Sequence, residues 1–376
     1  MKMDVKHDMS KLIGIFNRPD AELYPGGDTV QLLAIRKFLQ SCGYEVRIIS
    51  DWQSSLEDFD LIILFNLTRP IEAFLQAKQA MRYRKPYIVF PVYWDLDALP
   101  MQRGWSGLAK KCLPQRVKDL IRLRKFAKQN SGATGQITPR ASSIPAMISE
   151  VLAQAACICP NSEAERRHLI ERFQLPNSVQ DNIRVVFNGL DINIIEHPAA
   201  STDKFCLPEF FICCVGGIGP RKNQLKLIEA SRSANVPIVL VGRAAPGAEN
   251  YYRQIVAAGG SGLTLINNVP QSTVFEIMKR SAGHIQPSYI ETPGLASLEA
   301  AALGCSIGVS DVGPVREYFG SYAQYCEPDN VDSIAQCLIR LTTQPIDSGL
   351  SVHIKQNFNW NQVLIPLDGI IQSIDK

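Results

Sequence analysis

The feature that most constrains this chain is the repeated alternation of short, continuously apolar runs with helix-length segments. The runs "KLIGIF", "YEVRIIS", "DLIILFN" and "PYIVFPV" are each bounded by polar or proline residues. Continuous apolar strands alternating with helices belong to a parallel sheet covered on both faces. The first unit runs from "KLIGIF" through "NRPDAELYPGGD" into an apolar-periodic stretch from Thr29 to Cys42, ended by Gly43 where a helix C-terminus is expected. The run "ACICPNS" and an expected strand "IRVVFNG" complete this domain near Asp191. After a polar connection over residues 193–208, the alternation restarts with "FFICCVGG", "VPIVLVG", "LTLINNV", "GHIQPS" and "CSIGVS". A chain of 376 residues exceeds the size at which one core keeps growing. The expected architecture is therefore α/β, with two Rossmann-like doubly wound domains in tandem.

Composition removes several other classes. An apolar fraction of 46% and a charged fraction of 20% are those of an ordinary folded protein, neither disordered nor fibrous. Met1 to Lys11 is charged and lacks the apolar core of a signal peptide, and no run of 18 apolar residues occurs, so a cytoplasmic location is expected. The ten cysteines lie scattered in apolar runs without CxxC pairs, which predicts buried thiols and neither a zinc site nor a redox motif. The net charge of +3 hides a concentration: residues 103–128 hold nine Lys or Arg against the single acid Asp119. So local a basic patch argues against nucleic-acid binding by the whole fold and for one anionic surface or ligand. Within it, "AKKCLPQRVKDLIRLRKFAK" (109–128) carries Leu113, Val117, Leu120 and Ile121 as an apolar strip interrupted by Arg124. Such a segment suits an anionic membrane surface, the alternative being a solvated helix of the first domain. "NSGATGQITPRASS" (130–143) reads as a loop.

Two segments carry the chemistry. In "GHIQPSYIETPGLASLEAAALGCSIGVSDVG" (283–313) a strand ends at Pro287, a loop carries Glu291, and a helix starts at Gly294–Leu295 and stops at Gly304. Unpaired N–H groups and a positive helix end are then presented above the sheet, suited to phosphate or sugar oxygens. Glu299, one turn into that helix, shares the cleft with Glu291, and a carboxylate accepts from paired sugar hydroxyls. Either glutamate alone would be explained by the helix dipole. In "VGGIGPRKNQ" (215–224) a strand opens into a glycine-rich turn beside Arg221 and Lys222, which are phosphate-binding parts. As a dinucleotide fingerprint it fails, because Gly217 and Gly219 are not followed by the third glycine.

With those segments in order, "VGGIGPRKNQLKLIEA", "VPIVLVG" and "YIETPGLASLEAAALG", the sequence resembles the family 4 retaining glycosyltransferases of the GT-B fold. The last segment matches that family's Glu-x7-Glu motif with Glu291 and Glu299. The resemblance implies an N-terminal acceptor-side domain (1–195), a C-terminal donor-binding domain (205–355) and a terminal helix (356–376, opening at "FNW") that crosses back to the first. It implies that Arg221 and Lys222 hold the donor diphosphate, Glu299 the ribose and Glu291 the sugar. The loop through Pro293, Gly294 and Leu295 meets sugar or phosphate through its amides. "YPGGD", with Gly26 and Gly27, resembles the glycine loop facing the donor phosphates across the cleft. Many members have Arg where this chain has Gly217, and a His near the fourth strand where this chain has "FPVYWDL". Tyr93, Trp94 and Asp95 there are candidates for acceptor contact, with a packed aromatic pair as the plainer account of the first two.

The implied reaction moves a sugar from a nucleoside-diphosphate sugar to a hydroxyl of a glycan or lipid-linked acceptor with retention, as in bacterial-type polysaccharide or glycolipid synthesis. Lys222, Arg221 and Glu291 are its catalytic candidates. The departing diphosphate itself assists deprotonation of the acceptor, so no protein nucleophile is needed. No cofactor and no metal are expected, because no His and carboxylate cluster has ligand spacing. Alternatives on the same fold are a sugar-nucleotide epimerase, a phosphorylase or a non-catalytic sugar-nucleotide-binding partner of another transferase.

Overall fold

The computed structural model describes residues 11–21, 23, 26–95, 114–129, 143–196, 201–344 and 347–374. The expected loop at 130–142 and the start of the basic stretch, including Leu113, lie outside them.

The first half runs β1 (Leu12–Phe16), α1 (Gly27–Ser41), β2 (Glu45–Ile49), β3 (Leu61–Phe65), α2 (Pro70–Arg82), β4 (Tyr87–Phe90), α3 (Gln115–Gln129), α4 (Ile144–Ala153), β5 (Cys157–Ile158) and α5 (Glu163–Phe173). Its five strands form one parallel sheet in the order β2-β1-β3-β4-β5. Every residue of β1, β3 and β4 is buried, as a sheet covered on both faces requires. Helix starts follow local chemistry. Pro70 opens α2, where its missing N–H costs nothing, and the Ser162 hydroxyl caps α5 by accepting from the Glu165 N–H at 3.0 Å.

The second half runs β6 (Ile212–Val215), α6 (Gln224–Ala234), β7 (Ile238–Val241), α7 (Glu249–Ala257), β8 (Leu263–Ile266), α8 (Gln271–Arg280), β9 (Gly283–Gln286), α9 (Leu295–Ala302), β10 (Ser306–Ser310), α10 (Val315–Phe319), β11 (Gln324–Cys326) and α11 (Val331–Thr343). The order β11-β10-β9-β6-β7-β8 is again wholly parallel. Strand order reverses between β1 and β3 in one sheet and between β6 and β9 in the other. Open α/β sheets bind ligands at the carboxyl ends of strands flanking such a reversal.

Three expectations need correction. "IRVVFNG" is not a strand: only Ile183 makes a parallel bridge, to Ile158. Arg184 N–H donates to Ile158 O and Val186 N–H to Pro160 O, but Pro160 has no N–H to complete the pairing and Asn188 N–H turns away to the Tyr318 hydroxyl. The terminal helix is broken into α12 (Ser348–Asn357), a turn at Trp360–Val363 and α13 (Ile365–Ser373). The Asn359 side chain, accepting from the Asn361 N–H, restarts it. Among the described residues seven cysteines are buried, but Cys42 and Cys206 are exposed.

Trp360, Leu364, Leu367 and Ile371 pack with Ile13, Ile15, Leu32 and Ile35 of the first sheet and α1. The chain thus crosses between the halves twice, and the two crossings are bonded to each other: Leu190 N–H donates to Phe358 O at 2.9 Å and Trp360 N–H to Leu190 O at 3.2 Å. Leu367 is fully buried there. Leu367→Ala is expected to cost about 2–5 kcal/mol, the range for deleting a core leucine, measured as a lowered urea midpoint.

Candidate functional site

The ends of β1, β3, β6 and β9 converge on a cavity of about 660 Å³ between the two halves. Its second-domain wall comes from the loops after β6 and β9, on either side of the strand reversal. Gly216, Gly217, Arg221 and Lys222 arrive from one, and Glu291, Thr292 and then Leu295 and Glu299 from the other. Gly26, Gly27, Arg18, Asp28, Asn66 and Arg69 supply the facing wall. A Cβ on Gly27 would lie 3.5 Å from the Leu295 side chain, so the glycine loop directly faces the start of α9.

The backbone is shaped for these positions. A Cβ on Gly242 would lie 1.9 Å from the Gly216 carbonyl oxygen, which lets the turn after β6 lie flat on the end of β7. Gly294, at φ +91°, enters α9 without a side-chain cap and leaves its first amides open. Asn223 takes the left-handed region at φ 60° and donates through Nδ2 to Pro287 O (3.0 Å) and Pro328 O (2.7 Å), fixing the turn that carries Arg221 and Lys222.

Lys222 Nζ lies 2.7 Å from Glu291 Oε2; Glu291 is buried and Lys222 largely so, its side chain 13% exposed. The Ser288 hydroxyl donates to the same oxygen at 2.9 Å. Burial alone would raise the Glu291 carboxyl, but Lys222, Arg221 and the hydrogen bonds from Lys222 and Ser288 outweigh it and hold it at about 2. Burial pulls the Lys222 ammonium below its ordinary value while Glu291 opposes the shift. Arg221 is more exposed; its Nη1 donates to Ile290 O at 2.9 Å and stands 3.9 Å from Glu291 Oε1. Glu299 lies at the cavity edge, accepting from Gln271 Nε2 at 3.1 Å, and burial pushes its carboxyl up to about 7. Pro293 and Gly294 are buried in the loop between the glutamates and do not line the cavity.

Tyr93 and Asp95 sit elsewhere. They line a neighbouring cavity of about 470 Å³ in the first domain that meets the larger one at Thr68 and Trp94. The expected aromatic pair is a sandwich around His168: Trp94 stacks on the imidazole at 5.0 Å and Tyr93 at 5.8 Å between centroids. Asp95 Oδ2 is 3.3 Å from Arg172 Nε. Among the described residues no three His, Cys, Asp or Glu side chains gather to hold a metal ion.

Residues 204–357 match the family Glycosyl transferases group 1. No curated protein matches the sequence. Among solved structures, the sucrose-phosphate synthase of Thermosynechococcus elongatus is similar at a TM-score of 0.70 with 14% identity, over 97% of this chain and 99% of that one. Anabaena HepE in complex with UDP-glucose is similar at 0.69 and 14% identity, over 96% and 99%. The fold is GT-B: two parallel-sheet α/β domains facing across a cleft.

Sequence reasoning missed Arg18, Arg69, Arg243 and His168. Arg18 and Arg243 each follow the end of a strand, one in "GIFNR" and one in "VLVGR", and that position was their available signal. Arg18 is engaged by Asp28 (3.0 Å) and Asp20 (3.1 Å), Arg69 by Asp20 (2.6 Å), and Arg243 reaches across to Leu23 O at 3.0 Å. His168, on α5, comes to the end of β4 from 75 residues further along the chain than Tyr93, which no local pattern reveals.

The raised Glu299 carboxyl makes a signed prediction. Its contribution is fully present below the unfolded value near 4.5 and is lost as pH rises through about 7. Glu299→Gln, neutral at every pH, is expected to match the parent in melting temperature below pH 4.5, to exceed it increasingly as pH rises to about 7, and to keep a constant lead above that.

Proposed function

We propose that the chain is a retaining glycosyltransferase that moves a sugar from a nucleoside-diphosphate sugar to a hydroxyl of a glycan or lipid-linked acceptor, in bacterial-type polysaccharide or glycolipid synthesis. The observation that carries this reading is the buried Lys222–Glu291 pair at the strand reversal, inside a domain matching Glycosyl transferases group 1. The UDP-glucose complex of the similar Anabaena structure supports a nucleotide sugar as the partner.

In this reading the diphosphate lies along Lys222, Arg221 and the open amides around Gly294–Leu295, with Gly26, Gly27 and Gly217 allowing close approach. The ribose hydroxyls meet Glu299 and the sugar meets Glu291. As the glycosidic bond breaks, charge grows on the leaving phosphate, and a cation already fixed by Glu291 stabilises it without reorganisation. The same phosphate receives the acceptor proton on the sugar face it leaves, so configuration is retained with no protein nucleophile, metal or other cofactor. Tyr93 and Asp95 face the acceptor side.

The protein acts at the cytoplasmic face of a membrane, as a peripheral partner through the basic stretch at 109–128. No helix among the described residues is long and apolar enough to cross a bilayer. On α3, however, Val117, Leu120 and Ile121 are 38%, 47% and 53% exposed beside Arg124 and Lys128. Apolar side chains interleaved with cations suit an anionic lipid surface.

A panel of UDP-, GDP- and ADP-sugars followed by thermal shift and nucleotide release tests the activity; no stabilisation by any of them would remove it. With donor and acceptor in hand, Lys222→Ala is expected to lower turnover by about 10²–10³ with a smaller loss of donor affinity, by analogy with one preorganised donor. Near-parental turnover would place the chemistry elsewhere. For the membrane, Arg124→Glu with Lys128→Glu is expected to weaken sedimentation with phosphatidylserine vesicles by about 1 kcal/mol per charge removed, and added salt should do the same. Unchanged sedimentation would leave α3 a solvated helix.

A further inference from the structure

The 470 Å³ cavity of the first domain has a composition unlike the donor cleft. Its volume is within the roughly 300–1,000 Å³ of small-molecule sites. One wall is apolar: Leu67 and Ile71 from the start of α2, Ile144 and Ile148 from α4, and Phe126 from α3. Three cations, Arg122, Lys125 and Arg172, line the cavity among the described residues, with Asp95, which Arg172 engages at 3.3 Å, as the carboxylate. Among the described lining residues the neutral hydrogen-bonding side chains are Thr68 and the Tyr93 and Trp94 rings. A site built for a free sugar would present several amides and carboxylates to paired hydroxyls. This one presents hydrocarbon and positive charge.

Placement adds to chemistry. Arg122, Lys125 and Phe126 are three and four residues apart and so share one side of α3. That side is held in place because the fully buried Asp119 accepts the Ile144 N–H at 3.1 Å, which locks α3 onto the start of α4. Val117, Leu120 and Ile121 are exposed, as are Arg122 and Lys125 at the rim, while Phe126 is half-buried. At its other end the cavity reaches the donor cleft at Trp94, whose ring approaches Gly313 of the second domain, a Cβ on that glycine falling 3.3 Å away. A molecule lying in the cavity can therefore hold one end at the cleft and another at α3.

We propose that this cavity binds the acceptor, and that the acceptor is an amphiphile: its hydroxyl at the cleft end beside Thr68 and Trp94, an anionic phosphate headgroup at Arg122 and Lys125, and an apolar chain along Ile71, Phe126, Ile144 and Ile148. Its role as an acceptor site rests on the transferase reading; its chemistry as a ligand site does not. The two sides of α3 then divide the work, the outer one meeting the lipid surface and the inner one meeting a single lipid phosphate.

Calorimetry on the full chain tests this with geranyl phosphate, geraniol, inorganic phosphate and glucose 1-phosphate, and with UDP, GDP and ADP titrated separately. Geranyl phosphate is expected to bind at least tenfold more tightly than the other three non-nucleotide probes. Arg122→Glu with Lys125→Glu should reduce that affinity at least tenfold, and Arg122→Gln with Lys125→Gln should do so less, with melting temperature and nucleotide affinity close to the parent. Geraniol binding as well as geranyl phosphate would overturn the anionic headgroup, and glucose 1-phosphate binding as well would overturn the apolar chain. Unchanged affinity in both double variants would overturn the placement. If no nucleotide binds while geranyl phosphate behaves as expected, the transferase reading falls and the amphiphile site stands. Nucleotide binding with no preference for geranyl phosphate sinks the amphiphile site alone.

Discussion

The ion pair between Lys222 and Glu291 is the contact around which the second domain's ligand face is arranged. Taking an ammonium and a carboxylate out of water is costly, and their attraction offsets that cost only with good geometry and further hydrogen bonds. Ser288 supplies one of these at 2.9 Å. Because the partners stand in the loops after β6 and β9, the pair laces two separate connections into one surface. The Tyr289 N–H donating to Arg221 O and Arg221 Nη1 donating to Ile290 O strengthen the same seam. The start of α9 is thereby positioned against the glycine turn, and the cation is aimed before any ligand arrives.

Much of this was legible because the signals were local. Strands buried on both faces read as continuous apolar runs, so the second domain's strand order of appearance and both switch-point loops could be located from residue types alone. The Glu291–Glu299 spacing placed both carboxylates at one cavity because a loop followed by one helical turn leaves little freedom. The Lys222 partner was not legible: the sequence separation from Glu291 is 69 residues, and only the adjacency of β6 and β9 in the sheet brings them together.

The failures share a cause. "IRVVFNG" has strand composition and starts along β5, but Pro160 has no N–H to return and Asn188 N–H turns to the Tyr318 hydroxyl across the domain boundary, so tertiary partners override propensity. The terminal segment, apolar enough for one helix, is interrupted where Asn359 caps a new start. His168 enters the aromatic site from α5, and α3 turns Asp119, Leu123 and Phe126 towards the first domain through the Ile144 N–H bond and core packing. Each of these depends on contacts between elements distant in sequence, which periodicity does not encode.

The paired crossings at Leu190 and Phe358–Trp360 have a mechanical consequence. A single covalent tether lets two bodies swivel as well as bend. Here two strands of chain run side by side and share a short ladder, and Gly189 is pressed so close that a Cβ there would lie 2.7 Å from Trp360 N. Such a doubled strap opposes torsion more than one covalent tether could. The relative twist of the two lobes is thereby constrained at the strap, and with it the placing of the Gly26–Gly27 loop opposite Leu295.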